Sequence, residues 1–238
     1  MKQDTLAQLN AERLARRPVV VVTNIATGEQ RLVKATDLAN DPLHAEIDKH
    51  LRIGRSELIQ VDGDNLFLNI YAPTARLVIV GAVHISQTLA PLAQSLGYDV
   101  CIVDPRSAFA SPERFPDVQV IADWPETVLP PMNLDRYTAV AALTHDPKID
   151  DVALLNALER NCFYIGALGS RKTHGRRLDR LKAAGESDNS LTRIRSPIGM
   201  DIGAVSPAEI AVSVMAQITA ALRLPASSIN VPRVSIPA

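Results

Sequence analysis

Two glycines followed by a run of cations make Gly166-Ala167-Leu168-Gly169-Ser170-Arg171-Lys172 the most chemically pointed stretch of the chain. The helix that Ser170 opens carries Arg171, Lys172, Arg176 and Arg177 in its first turns. Cations near a helix N-terminus are unfavourable by roughly 0.3–1 kcal/mol each. A bound anion reverses that penalty, because the exposed backbone N–H groups and the helix dipole both favour negative charge. Ser170 is placed to cap, and Arg171 and Lys172 to clamp a phosphate. The plainer alternative is a set of solvated side chains on an outer face.

A second turn of the same kind is Gly81-Ala82-Val83-His84-Ile85-Ser86, which follows the apolar run Leu77–Val80. Asp104 stands 23 residues after Gly81, close to the spacing of about 20 residues at which an acid binds a ribose hydroxyl in dinucleotide folds. That fingerprint wants glycine where Val83 and Ser86 stand, so NAD(P) is an alternative ligand here, and a purely structural glycine is another. His84 is either a ligand contact or a capping or buried histidine. Asp104-Pro105-Arg106 combines a hydrogen-bond acceptor with a guanidinium that can fork onto phosphate, or else forms an exposed turn. In Thr144-His145-Asp146-Pro147, adjacent His and Asp could move a proton, but neighbours along an extended chain point to opposite faces. Capping by Asp146 with Pro147 at the first helical position explains those two residues without chemistry, and ligand contact by Thr144 and His145 remains open. Asp201, between Gly199 and Gly203, is the candidate contact in an otherwise apolar loop.

These segments need a scaffold that brings strand ends together. With 238 residues, 47% of them hydrophobic, the chain can bury a sizeable core. Its 25 basic and 26 acidic residues nearly cancel, which gives no electrostatic reason to expect nucleic acid. Cys101 and Cys162 have no metal-type spacing and suggest no disulfide framework, as in a reducing compartment. No apolar stretch approaches the roughly 20 residues that span a bilayer, and residues 1–17 lack a signal-peptide core. A soluble cytoplasmic protein with no membrane partner is expected.

Residues 1–17 read as an amphipathic helix presenting Leu6, Leu9 and Leu14. Strands follow at 18–23, 30–34, 57–61 and 65–71, the last pair flanking the hairpin signal Asp62-Gly63, with a helix over 41–51. Ala72-Pro73-Thr74 breaks this pattern, and strand–helix alternation takes over from Leu77, the mark of a parallel sheet with crossover helices. Strands are expected at 77–80, 98–103, 119–122, 137–143 and 162–165. Helices are expected after Gly81, around Val152–Leu158 and from Ser170 to about Gly185. Ser206-Pro207-Ala208-Glu209 is a capping box, after which Ile210, Val214, Ile218 and Leu222 repeat every four residues. The expected fold class is α/β: a small α+β domain over 1–74, a Rossmann-like ligand-binding domain over 75–225 with helices flanking a parallel sheet, and a tail over 226–238.

Taken in order, LVIVGAVHIS (77–86), LGYDVCIVDPR (96–106), Arg114-Phe115-Pro116, LTHDP (143–147), YIGALGSRKT (164–173) and PIGMDIGAVSPAEIAVSVMA (197–216) resemble the xanthine dehydrogenase accessory family of the XdhC/CoxI type. The resemblance implies a non-catalytic carrier, commonly a dimer. Such a carrier binds and shields the molybdenum cofactor (molybdopterin), assists its sulfuration with a cysteine desulfurase, and delivers it to a xanthine-dehydrogenase-type molybdoenzyme. This sequence departs from the family pattern twice: Val83 replaces a usual glycine, and residues 1–74 lack the usual Gly-Gly-Cys. An NAD(P)-dependent oxidoreductase or nucleotide-sensing module is the alternative function.

Overall fold

The computed structural model describes residues 1–225, and the expected tail over 226–238 lies outside them. The chain forms two compact units that divide between Pro73 and Thr74.

In the first unit, β1 (Val19–Asn24), β2 (Gln30–Lys34), β3 (Glu57–Val61) and β4 (Asp64–Tyr71) form an antiparallel sheet in the order β2-β1-β4-β3. Val20 and Val22 face a cluster with Ile47 of α2 (His44–Ile53), while Val19 and Val21 face Leu9 of α1 (Gln3–Leu14). The continuous Val19–Val22 run therefore reflects a strand covered on both sides. Two expectations fail here. Leu14 is 87% and Leu6 44% exposed, because α1 turns Leu9 and Glu12 inward and Glu12 is held by Arg17 at 2.6 Å. The helix expected from residue 41 begins at His44 instead. Asp41 is committed to accepting the Leu43 N–H at 2.9 Å and to pairing with Arg31 on β2.

The second unit holds β5 (Arg76–Val80), β6 (Asp99–Val103), β7 (Gln119–Ile121), β8 (Thr138–Ala142), β9 (Tyr164–Ala167) and β10 (Ile194–Arg195). All are parallel, in the order β10-β9-β8-β5-β6-β7. Leu77 and Ile79 pack under α3 (His84–Ser95) and α8 (Pro207–Arg223). Val78 and Val80 pack on the opposite side under α4 (Pro125–Met132), α5 (Pro147–Glu159), α6 (Arg171–Ala183) and α7 (Asp188–Leu191). The capping box of α8 forms as expected: Ser206 Oγ accepts the Glu209 N–H at 3.3 Å and Glu209 accepts the Ser206 N–H at 2.8 Å. The sequence reading missed α4, whose three prolines mask it, the single-turn α7 and the two-residue β10. Pro125 occupies the first helical turn, where its missing N–H costs nothing.

Candidate functional site

The strand order reverses between β5 and β8, which places two loops side by side at the carboxyl edge of the sheet: the Gly81 turn and the Thr144 loop. Open α/β sheets bind ligands at such a point. Gly81 has φ +119°, and a methyl there would meet Thr144 Cγ2 at 2.9 Å and the Thr144 nitrogen at 3.2 Å. The glycine is thus required by a neighbouring loop. The Ala82 N–H donates to Asp104 Oδ2 at 2.7 Å, and Ser86 donates to the Gly81 carbonyl at 2.6 Å. Val83, in extended conformation, starts α3, and His84 is exposed as the first helical residue.

Asp104 is fully buried. Its Oδ1 accepts from Arg106 N at 3.0 Å and Nε at 2.9 Å, while its Oδ2 accepts from Arg106 Nη2 at 2.8 Å as well as from Ala82. Burial alone would raise the carboxyl, but the Arg106 guanidinium and the two backbone donors hold it below the usual carboxylate range. The guanidinium of Arg106 stacks on Phe109 at 4.5 Å. Arg114 clamps this corner by donating to the carbonyls of Ala82 at 2.9 Å and Phe109 at 2.7 Å. The acid positioned by sequence for a ribose hydroxyl is consumed inside the fold.

The Thr144 loop is tied down in the same way. Asp150, fully buried on α5, accepts from Thr144 Oγ1 at 2.7 Å, Thr144 N at 3.2 Å and His145 N at 3.0 Å. Burial pushes its carboxyl up, opposed by these hydrogen bonds and by Arg177. His145 is exposed in the left-handed region at φ +65°. Asp146 caps α5 through the Lys148 N–H at 2.9 Å, the non-chemical role open to it in the sequence.

Beyond β9 the surroundings change. Gly166 is packing: a methyl there would lie 2.6 Å from Ile198 and 2.7 Å from the Tyr164 hydroxyl. Tyr164 donates to Gln217 Oε1 at 2.7 Å, and Gln217 exchanges hydrogen bonds with Gly199 at 3.0 and 2.9 Å. This network pins the loop after β10 to α8. Gly169, at φ +139°, turns the chain into α6, where Ser170 accepts the Thr173 N–H at 3.2 Å. Between α6, that loop and the start of α8 opens a cleft of about 950 Å³, with Arg171, His174, Arg195, Met200, Asp201 and Ile210 in its wall. Arg171 and Asp201, far apart in sequence, thus share one wall, whereas Lys172 is exposed outside it. Burial and the nearby Arg177 hold His174 below its ordinary value, so its ring is a neutral neighbour of the cleft. Sequence reasoning overlooked Asp150 and counted Arg177 among the cations of the helix start without foreseeing its burial. Arg177 is 2% exposed and faces Asp150, and its spacing of four from buried Leu181 was the available signal.

A parallel sheet in this order, with glycine turns at its carboxyl edge and an open cleft beside one of them, defines a Rossmann-like unit. Residues 77–218 match the family described as the XdhC Rossmann domain, and the chain belongs to that family. It is similar to the molybdenum cofactor insertion chaperone PaoD of Escherichia coli (strain K12), with 35% identity over 154 residues, 65% of this chain and 42% of that protein. It is also similar to a probable xanthine dehydrogenase subunit from Bacillus subtilis (strain 168), with 33% identity over 155 residues, 65% of this chain and 45% of that one. The chain spans less than half the length of these curated relatives. A crystal structure of a xanthine dehydrogenase from Bacillus halodurans superposes with a TM-score of 0.63 at 25% identity, covering 94% of this chain and 66% of that one. Among the described residues, no helix is long and apolar enough to cross a membrane.

Proposed function

We propose that this protein is a carrier that holds the molybdenum cofactor by its phosphate and pterin, shields it, and delivers it to a xanthine-dehydrogenase-type molybdoenzyme. The observation that carries the proposal is the cleft beside the cation-rich start of α6, whose volume of about 950 Å³ falls in the range of small-molecule sites. Arg171 and the Ser170 turn would hold the phosphate, and Asp201 and the loop backbone would read ring edges. Cys101 and Cys162 lie in the core, where burial pushes their thiols up to about 11 and about 12. The cargo would therefore be gripped through its organic part rather than by a thiolate of this chain. Membership of the XdhC family and likeness to an insertion chaperone support the same reading. The proposal includes a cytoplasmic homodimer, served by a cysteine desulfurase. The NAD(P) alternative loses its main sequence support, because the Asp104 carboxylate is filled by Arg106 and Ala82.

The test is to purify the protein from cells that make molybdenum cofactor, oxidise it, and assay fluorescent pterin. Near-stoichiometric pterin, lost in the Arg171→Ala/Lys172→Ala double variant, is expected. Absence of pterin, even after incubation with fresh cofactor, would overturn the carrier reading.

A further inference from the structure

Seven positions past the cap of α6, Arg177 is almost fully buried. A guanidinium has five N–H donors, and each one left unmade inside a protein is costly. Nη2 donates to the Leu168 carbonyl at 3.0 Å and stands 3.7 Å from Asp150 Oδ2. Nε lies 3.9 Å from Asp151 Oδ1, an ion pair beyond hydrogen-bond reach, and neither Nε nor Nη1 has a hydrogen-bond partner among the described residues, both being sealed from solvent. Asp150 relieves neither, since its oxygens already serve Thr144 and His145.

Helical side chains lean toward the helix N-terminus, so Arg177 reaches back along Thr173 to the level of the first turn. A methyl added to Gly169 would lie 3.9 Å from Nη1 and 3.4 Å from the Thr173 side chain, which places Nη1 beneath the turn that opens the helix. There the Ser170 and Thr173 hydroxyls stand 3.1 Å apart, and the first turn carries no acid.

We infer that Arg177 is the inner anchor of an oxyanion site at the start of α6, with the Ser170 and Thr173 hydroxyls as outer donors, and that the site takes a terminal phosphate. The inference deepens the carrier reading and rests on it for the identity of the cargo. The donors are sealed, so the Leu168–Ser170 turn moves outward as the anion enters, and Gly169 supplies the backbone freedom. A terminal phosphate offers three unesterified oxygens and close to two charges, whereas a phosphodiester offers two oxygens and one charge and is the poorer match. Asp150 balances the charge of Arg177, while Arg171 and Lys172 at the rim match the two charges of a monoester.

The test uses the full chain with nitrogen-15-labelled arginine, titrated with inorganic phosphate. The Arg177 guanidinium resonance should move saturably. Methyl phosphate should compete, and dimethyl phosphate should compete far less. By calorimetry Arg177→Lys, which keeps the charge and loses the fork, should weaken phosphate binding by about tenfold or more, the scale of one charge-assisted hydrogen bond. Thr173→Val, at an exposed position, should weaken it several-fold with an unchanged melting curve. An Arg177 resonance indifferent to saturating phosphate, or no phosphate binding by the wild type, overturns the inference and leaves a buried water as the partner. If Arg177→Lys fails to fold, the wild-type resonance and Thr173→Val decide. Bound pterin with an unresponsive Arg177 sinks this inference alone, whereas a phosphate response without pterin sinks the carrier reading alone.

Discussion

The turns at Gly81 and Gly169 look alike in sequence, each a glycine between an apolar strand and a helix, yet they face different surroundings. At Gly81 the absent side chain makes room for Thr144, the next backbone N–H is taken by Asp104, and Asp104 is filled by Arg106. The buried acid at that corner is thus fully spent within the fold, although α3 starts without a side-chain cap. At Gly169 the helix start borders an open cleft, and the guanidinium beneath it keeps two nitrogens without a hydrogen bond among the described residues. The comparison teaches that a glycine turn at a strand end is a binding element only where its neighbours leave polar groups unspent. By that measure the buried Arg177 guanidinium is what sets the second turn apart from the fingerprint position.

The contrast can be broken at three strengths. The largest effect is expected from Asp150→Ala, which leaves the buried Arg177 charge with only Asp151 at 3.9 Å and frees the Thr144 and His145 N–H groups. Breaking a buried pair from one side costs about 3–5 kcal/mol, to be read from the midpoint of chemical denaturation. A loss below about 1 kcal/mol would show that Arg177 is not held by Asp150.

Asp104→Asn should cost less, about 1–3 kcal/mol, since Arg106 can turn to solvent. Here the pH dependence is diagnostic. The Asp104 carboxyl is depressed in the folded state, so its stabilisation is full above the unfolded value of about 3.9 and is lost as pH falls through the lower folded value. The stability gap between wild type and Asp104→Asn should therefore be wide at neutral pH and close in acid. A gap that stays constant across the acid range would mean that the charge contributes nothing at the Gly81 corner.

The smallest stability effect belongs to Arg171→Ala/Lys172→Ala. Both residues are exposed, so unfolding should shift by under about 0.5 kcal/mol even where ligand is lost. A large destabilisation would make these cations structural and erase the difference between the two turns.

The alternation of apolar strands and helices after Leu77, the capping box at Ser206 and the hairpin at Asp62-Gly63 could be read directly, because each depends on residues close together in the chain. α1 and α2 were misread at their faces and ends because distant partners decided them: Arg31 draws Asp41 out of the helix, and the first sheet selects Leu9 over Leu14. The same division runs through the candidate site. Sequence by itself determined which residues stand at strand ends and which helix begins with glycine, serine and cations. Tertiary structure alone decided that Asp104 is spent on Arg106, that Arg171 and Asp201 wall one cleft, and that Arg177 points inward. The physical reason is that a polar group's availability depends on whether another part of the fold has already satisfied it, and those partners are brought together only by packing.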